Sequence, residues 1–127
     1  GEKDFQQLYL IKKYLGNKFT TKIISCKTIR NKNKLPLSSR NTLLHKKSLK
    51  KSEQISLILF NYKKKILNNF KNIDNLNIYK SNIKNLCDKI EYFEIRNRNN
   101  LSKKFNKKNF KIFISYRQKN VRLIDNF

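Results

Sequence analysis

The chain has 127 residues, with 31 Lys and Arg against 8 Asp and Glu, for a formal net charge of +23. Its length allows one domain with at most an extension, and its 38% hydrophobic content lies below the roughly 45–50% of ordinary globular domains. A free globule of this size carries a net charge of magnitude roughly 2–8, so the composition argues against a self-sufficient globule and for a polyanionic partner whose counterions are released on binding.

The nine Phe and six Tyr argue against a merely solvated, self-repelling tail. Ala is absent, Val121 and Pro36 are the single Val and Pro, and Gly1 and Gly16 are the two glycines. Residues with A- and T-rich codons dominate, as in organelle genomes and some protists. No apolar run approaches the roughly 18–20 residues that span a bilayer, so membrane insertion is not expected. A secretory leader is not expected either, and the missing initiator Met fits its removal or an internal fragment.

In chain order, Phe5, Leu8, Ile11, Tyr14 and Leu15 recur at helical spacing, and Gly16 stands where a helix C-terminal glycine belongs. The spacing predicts an amphipathic helix docked on a neighbour; a membrane-surface helix is the sharper alternative. Residues 18–26 are β-branched and read as extended. Residues 28–37 read as a basic loop, with Pro36 opposing helix at its neighbour. Ser38 and Ser39 are candidate caps for a helix from about 40 to 71. Its stripe is Ile55, Leu59, Tyr62, Ile66 and Phe70, with Lys63, Lys64 and Lys65 opposite. After a polar break at 71–75, Leu76, Tyr79, Ile83, Leu86 and Ile90 repeat the pattern, predicting a second helix packed antiparallel on the first. Residues 96–109 read as a basic, Asn-rich loop. Residues 110–116 are β-prone, and 116–127 read as a helical turn or a tail.

Catalytic constellations are not evident. His45 has no carboxylate partner, and the acidic residues are scattered. Glu91 and Glu94 share a helical face but are more simply read as ion-pair partners. Two glycines cannot build a Gly-rich phosphate loop. Cys26 and Cys87 leave either one disulfide or two idle thiols, and with His45 they cannot complete a four-ligand zinc site. The expectation is therefore no enzyme, no catalytic residues, no cofactor, no metal and no small-molecule substrate. Interleaved cations and rings in 96–117 suit folded RNA, through phosphate contacts and base stacking. Phe105, Phe110 and Phe113 equally suit a core.

From Leu86 to Ser115 the sequence resembles the small-subunit ribosomal protein fourteen family in its zinc-free, mitochondrial-like form. Arg96-Asn97-Arg98 matches the family's Arg-Asn-Arg, Leu101-Ser102 its apolar residue and Thr, and Ile114-Ser115 its apolar-Ser pair at the same distance from Arg96. The chain departs at Asn99, where the family has Cys, and at 103–107, where Lys103 and Lys104 replace the glycine-bounded turn. The C-terminal Ser-Ser-Trp is absent, and residues 1–40 match no part of the family. The resemblance covers about half the chain. It implies a structural constituent of the mitochondrial small ribosomal subunit, binding rRNA in the head beside neighbouring ribosomal proteins. The RNA-binding set would be Arg96, Asn97, Arg98, Lys103, Lys104, Lys107, Lys108 and Arg117. A large-subunit organellar ribosomal protein and an organelle nucleoid DNA-binding protein are the alternatives. The expected architecture is mainly α, ordered on RNA: an N-terminal extension over 1–40, comprising a helix and an extended basic arm, then a helix pair and basic C-terminal loop-strand segment over 41–127.

Overall fold

A computed structural model describes residues 1–16, 18–20 and 22–127. Three α-helices, α1 (Phe5–Leu15), α2 (Lys46–Asn68) and α3 (Leu76–Lys84), precede three strands, β1 (Lys89–Asn97), β2 (Phe110–Gln118) and β3 (Val121–Asn126). The strands form one antiparallel sheet in the order β1-β2-β3. The architecture is mixed α/β, which corrects the expectation of a mainly α protein.

The stripe on α2 is packed as its spacing requires, since residues three and four apart share a helix face. Ile55, Leu59, Tyr62 and Ile66 are buried, together with Ile83 of α3. Tyr62 stacks on Tyr79 with ring centroids 3.9 Å apart and donates its hydroxyl to the Ile73 carbonyl at 2.8 Å. That bond ties α2 to the 3-10 turn Phe70–Asn75 at the expected polar break. The helix begins later than its sequence suggests. Ser38 does cap, accepting from the Arg40 N–H, but the segment it caps is a 3-10 turn, Ser39–Leu43. Leu44 and His45 are extended (ψ 133° and 153°), and this interrupts helical propagation before Lys46. The second helix stops at Lys84, so Leu86 and Ile90 pack from a turn and a strand.

The sheet accounts for the largest departure from the expected fold. Arg96 and Asn97 lie in β1 rather than a loop, and 116–127 completes β2 and forms β3. Lys119, at φ 53°, turns β2 into β3. The pairing of Phe93 with Ile114, Ile95 with Ile112 and Asn97 with Phe110 turns alternate side chains toward the helices. Phe93, Ile95, Phe110, Ile112, Ile114, Tyr116, Leu123 and Phe127 thus join the helix stripes in one core. An irregularity between Ile90 and Tyr92 leaves Glu91 unpaired across the ladder, on the opposite face. There its carboxylate accepts from Arg122, Ser115 and Arg117. The Arg122 bond comes first, then Ser115, in holding the Glu91 carboxyl down to about 2. Phe113 also turns to this face and meets Phe5 of α1 at 5.7 Å between ring centroids.

α1 has the expected bounds but buries no residue. Gly16 is not left-handed: its φ is −58°, continuing the helix, and an added Cβ would lie 2.5 Å from the Lys12 carbonyl oxygen. Of the stretch 18–26 expected to be extended, Thr21 lies outside the described residues; the described ones form no ladder. One isolated bridge, Arg30 to Pro36, closes the basic loop that follows.

Candidate functional site

The end of β3 gathers segments far apart in sequence. Asp125, in the position that faces α2, is 4% exposed and receives the Arg30 guanidinium through two bonds of 2.8 Å. The Ser56 hydroxyl also reaches this carboxylate, at 3.4 Å. Such a fork fixes orientation as well as charge, because planar guanidinium matches planar carboxylate. Arg30 donates further to the carbonyls of Lys34 and Asn126 and lies 4.0 Å above the Phe127 ring. One side chain therefore pins the loop 30–36 to the sheet. Burial pushes the Asp125 carboxyl above its ordinary range, and Arg30 holds part of that rise back.

Asn126, on the opposite face, secures a second segment. Its amide donates to the carbonyls of Glu2 and Lys3 at 2.9 and 2.7 Å, and the Glu2 N–H bonds the Cys26 carbonyl at 2.8 Å. Asn31 and Asn33 brace the loop from the other side by donating to the two oxygens of Glu53. Two adjacent residues of β3 thus place the turn carrying Lys3 beside the segment carrying Ser38 and Arg40.

Two adjoining cavities open between these segments, and Lys3, Ile124 and Asp125 line both. The first also has Ser38, Arg40 and Asn41 on its wall. The second, about 200 Å³, is lined by Asp4, Gln6 and Gln7 on one side and Tyr92 and Phe113 on the other. Among the described residues, neither Lys3 nor Arg40 forms an ion pair. Two uncommitted cations with a hydroxyl between their segments suit a phosphate-bearing ligand. A carboxylate with two amides beside apolar walls suits a small polar molecule. Among the described residues, no group of three or more His, Cys, Asp or Glu can hold a metal ion.

The residues expected to bind RNA are not gathered here. Arg96 is paired with Glu94, and Arg117 with Glu91 at 2.8 Å. Asn97 is buried and organises the β1–β2 connection, donating to the Lys104 carbonyl and accepting from the Asn99 N–H. Lys103, Lys104, Lys107 and Lys108 are exposed along that connection. Arg98 lines a cleft beside α1 and α2. Sequence reasoning did not single out Lys3, Asp4, Gln7, Arg40 or Asp125, which line the two candidate cavities. The compact polar run Ser38-Ser39-Arg40-Asn41 after Pro36 was the available signal, and its capping role masked it.

The family model for pantoate-beta-alanine ligase matches residues 1–127. A pantothenate synthetase of Flavobacterium psychrophilum is 35% identical over 130 residues, covering 99% of this chain and 46% of the relative. One from Francisella tularensis subsp. mediasiatica is 36% identical over 128 residues, covering 100% of this chain and 41% of the relative. Among solved structures, the pantothenate synthetase of Thermus thermophilus superposes with a TM-score of 0.83 at 23% identity, over 100% of this chain and 47% of that one. The Francisella tularensis pantoate-beta-alanine ligase, complexed with beta-gamma ATP and beta-alanine, gives 0.71 at 34% identity, over 100% and 41%. The chain thus spans less than half the length of these relatives.

These matches overturn the ribosomal reading of family, function and partners. The resemblance to the ribosomal protein fourteen family rested on three consecutive identities and short spacings in a Lys- and Asn-rich chain, and the match over residues 1–127 replaces it. The assignments to rRNA, to neighbouring ribosomal proteins, to either ribosomal subunit and to nucleoid DNA fall with it. So does the expectation of no enzyme and no small-molecule substrate, since the relatives are ligases and one was solved with ATP and β-alanine ligands.

Proposed function

The chain belongs to the pantoate-beta-alanine ligase family, and on that premise we propose that it takes part in the ATP-dependent condensation of pantoate with β-alanine. The observation that carries this reading is the joint position of Lys3 and Arg40. Both are free of acidic partners among the described residues, both line one cavity with Ser38, and Lys3 also lines the adjoining cavity of Asp4 and Gln7.

Joining a carboxylate to an amine requires activation, because a bare carboxylate oxygen is a poor leaving group. ATP supplies it when the carboxylate oxygen attacks a phosphorus of the triphosphate: the new O–P bond forms, a P–O bond of the triphosphate breaks, and the displaced phosphate fragment departs. The deprotonated amine then attacks the carbonyl carbon, the C–O bond breaks, the phosphorylated oxygen departs with its electron pair, and the nitrogen gives its extra proton to solvent. Lys3 and Arg40 would neutralise the phosphates and the charge that builds on the departing group, the kind of electrostatic term that dominates such steps. Asp4, Gln6 and Gln7 would offer an acceptor and donors for a small polar substrate, while Tyr92 and Phe113 exclude water from one side.

The test is initial-rate measurement of ATP-dependent amide formation from pantoate and β-alanine. Lys3→Met and Arg40→Met should each lower kcat/KM by about 10²-fold or more. Lys46→Met, at an exposed helix start, should leave the rate within about twofold. Turnover indifferent to both cavity substitutions would sink the reading.

A further inference from the structure

On the other side of Phe5 lies a separate cleft of about 550 Å³, between α1, α2 and the start of β2. Its cations come from three elements and the strand connection: Lys12 and Lys13 of α1, Lys63 of α2, Arg98 after β1, and Lys111 of β2. Among the described residues, Glu2 is the one acidic residue on its wall. Among the described residues, Lys63, Arg98 and Lys111 have no carboxylate within ion-pair distance. The Lys111 ammonium sits 4.8 Å above the Phe5 ring, which holds the cation in place without neutralising it.

We propose that this cleft binds an oligophosphate through Lys63, Arg98 and Lys111, at a site distinct from the one lined by Lys3, Ser38 and Arg40. Lysines on a solvated face spread apart and keep their ordinary proton affinity. Here burial first, and then Lys63 as a neighbouring charge, bring the Lys111 ammonium down to about 8. Burial and the charges of Arg30 and Arg98 likewise lower Lys63. The fold therefore holds like charges together with Glu2 as a partial offset, and a multiply charged anion relieves the repulsion that remains. Three cations exceed what one carboxylate can answer. Two flexible ammonium groups and a guanidinium fork suit tetrahedral oxyanions. Phe5, Tyr9 and Phe110 give the wall apolar surface beside those charges.

The experiment is calorimetric titration of the full chain with inorganic tripolyphosphate, and in a second arm with ATP. Lys63→Gln combined with Lys111→Gln should weaken tripolyphosphate binding at least about tenfold. Lys46→Gln combined with Lys47→Gln removes the same charge from the exposed start of α2 and should change it less than about threefold. Equal losses in the two pairs would overturn the site, since charge would then act diffusely. A loss that follows Lys3→Gln with Arg40→Gln, but not the cleft pair, would also overturn it. Tighter binding of ATP by a mechanism sensitive to Tyr9→Ala would support the site and identify a nucleotide as its ligand. Equal affinity of tripolyphosphate and ATP would support it as a site for the phosphates alone. If the Lys111 variant does not fold, Lys63→Gln with Arg98→Gln tests the same contacts from more open positions. NMR titration of the lysine side chains gives an independent reading: saturating tripolyphosphate should raise the Lys111 midpoint from about 8 toward its ordinary 10.5, and an unmoved midpoint would overturn the proposal.

Discussion

Residues 1–29 and residues 46–127 hold their structure by different means. In the later region Ile55, Leu59, Tyr62, Ile66, Ile83, Ile112 and Ile114 are all 0% exposed, and helices and sheet close one core. In the earlier region α1 buries nothing, and Leu10, Tyr14, Phe19, Ile24 and Ile29 are between 49% and 74% exposed. What holds residues 1–4 and 30–36 in place is a set of directional contacts: the Asp125–Arg30 fork, the Asn126 amide on Glu2 and Lys3, and the Phe5–Phe113 ring pair. Burial is non-directional and sets stability, whereas hydrogen bonds and ion pairs fix where groups point. The difference predicts that the candidate site can be displaced without unfolding the core.

The largest effect is expected inside the core. Tyr62→Ala removes a fully buried ring, its stack on Tyr79 and its bond to the Ile73 carbonyl. It should destabilise by roughly 3–5 kcal/mol, as large aromatic truncations do. Urea unfolding followed by far-UV circular dichroism measures it, and a loss below about 1 kcal/mol would break the claim that this region is held by packing. The next effect is at the clamp. Removing one partner of a buried pair costs roughly 3–5 kcal/mol, but Arg30 is 18% exposed and keeps the carbonyls of Lys34 and Asn126. Asp125→Ala should therefore destabilise by about 2 kcal/mol. Its distinctive mark is local. Amide hydrogen exchange should accelerate in 1–4 and 30–41 well before it does in α2, and uniform acceleration would erase the contrast between the two regions.

The helices were legible because their signal is periodic and local. Phe5 to Leu15 and Ile55 to Ile66 fall where the spacing puts them, since each helix buries or docks one stripe. The first strand was not legible, for a specific reason. Leu86 and Ile90 lie four apart, a helical interval, and the bulge at Glu91 breaks the two-residue alternation that Phe93, Ile95 and Asn97 later establish. β3 was hidden by its polar content: Asp125 and Asn126 are buried where the expected signal is apolar, and their partners Arg30 and Glu2 lie 95 and 124 residues away. The site was missed by the same logic. A net charge of +23 reports a sum, while the roles proposed for Lys3 and Arg40 depend on placement by a clamp that no short window contains. That sum also led to nucleic acid, although Arg96 and Arg117 spend their charge on Glu94 and Glu91.

The smallest expected effect is the sharpest test of the contrast. Leu10→Ala truncates a side chain 49% exposed on α1, so little apolar area changes its contact with water. Ala is also the better helix former, by a few tenths of a kcal/mol. The two terms oppose one another, and the unfolding free energy should move by no more than about 0.5 kcal/mol. The same truncation at Leu59, fully buried one helix away, should cost roughly 2–5 kcal/mol. Urea midpoints of the two variants, measured at several protein concentrations, decide the matter. A loss above about 1 kcal/mol at Leu10 that grows with protein concentration would mean that a second copy covers this face in solution. A loss of that size independent of concentration would mean that α1 shares the core after all, and the two regions would be one.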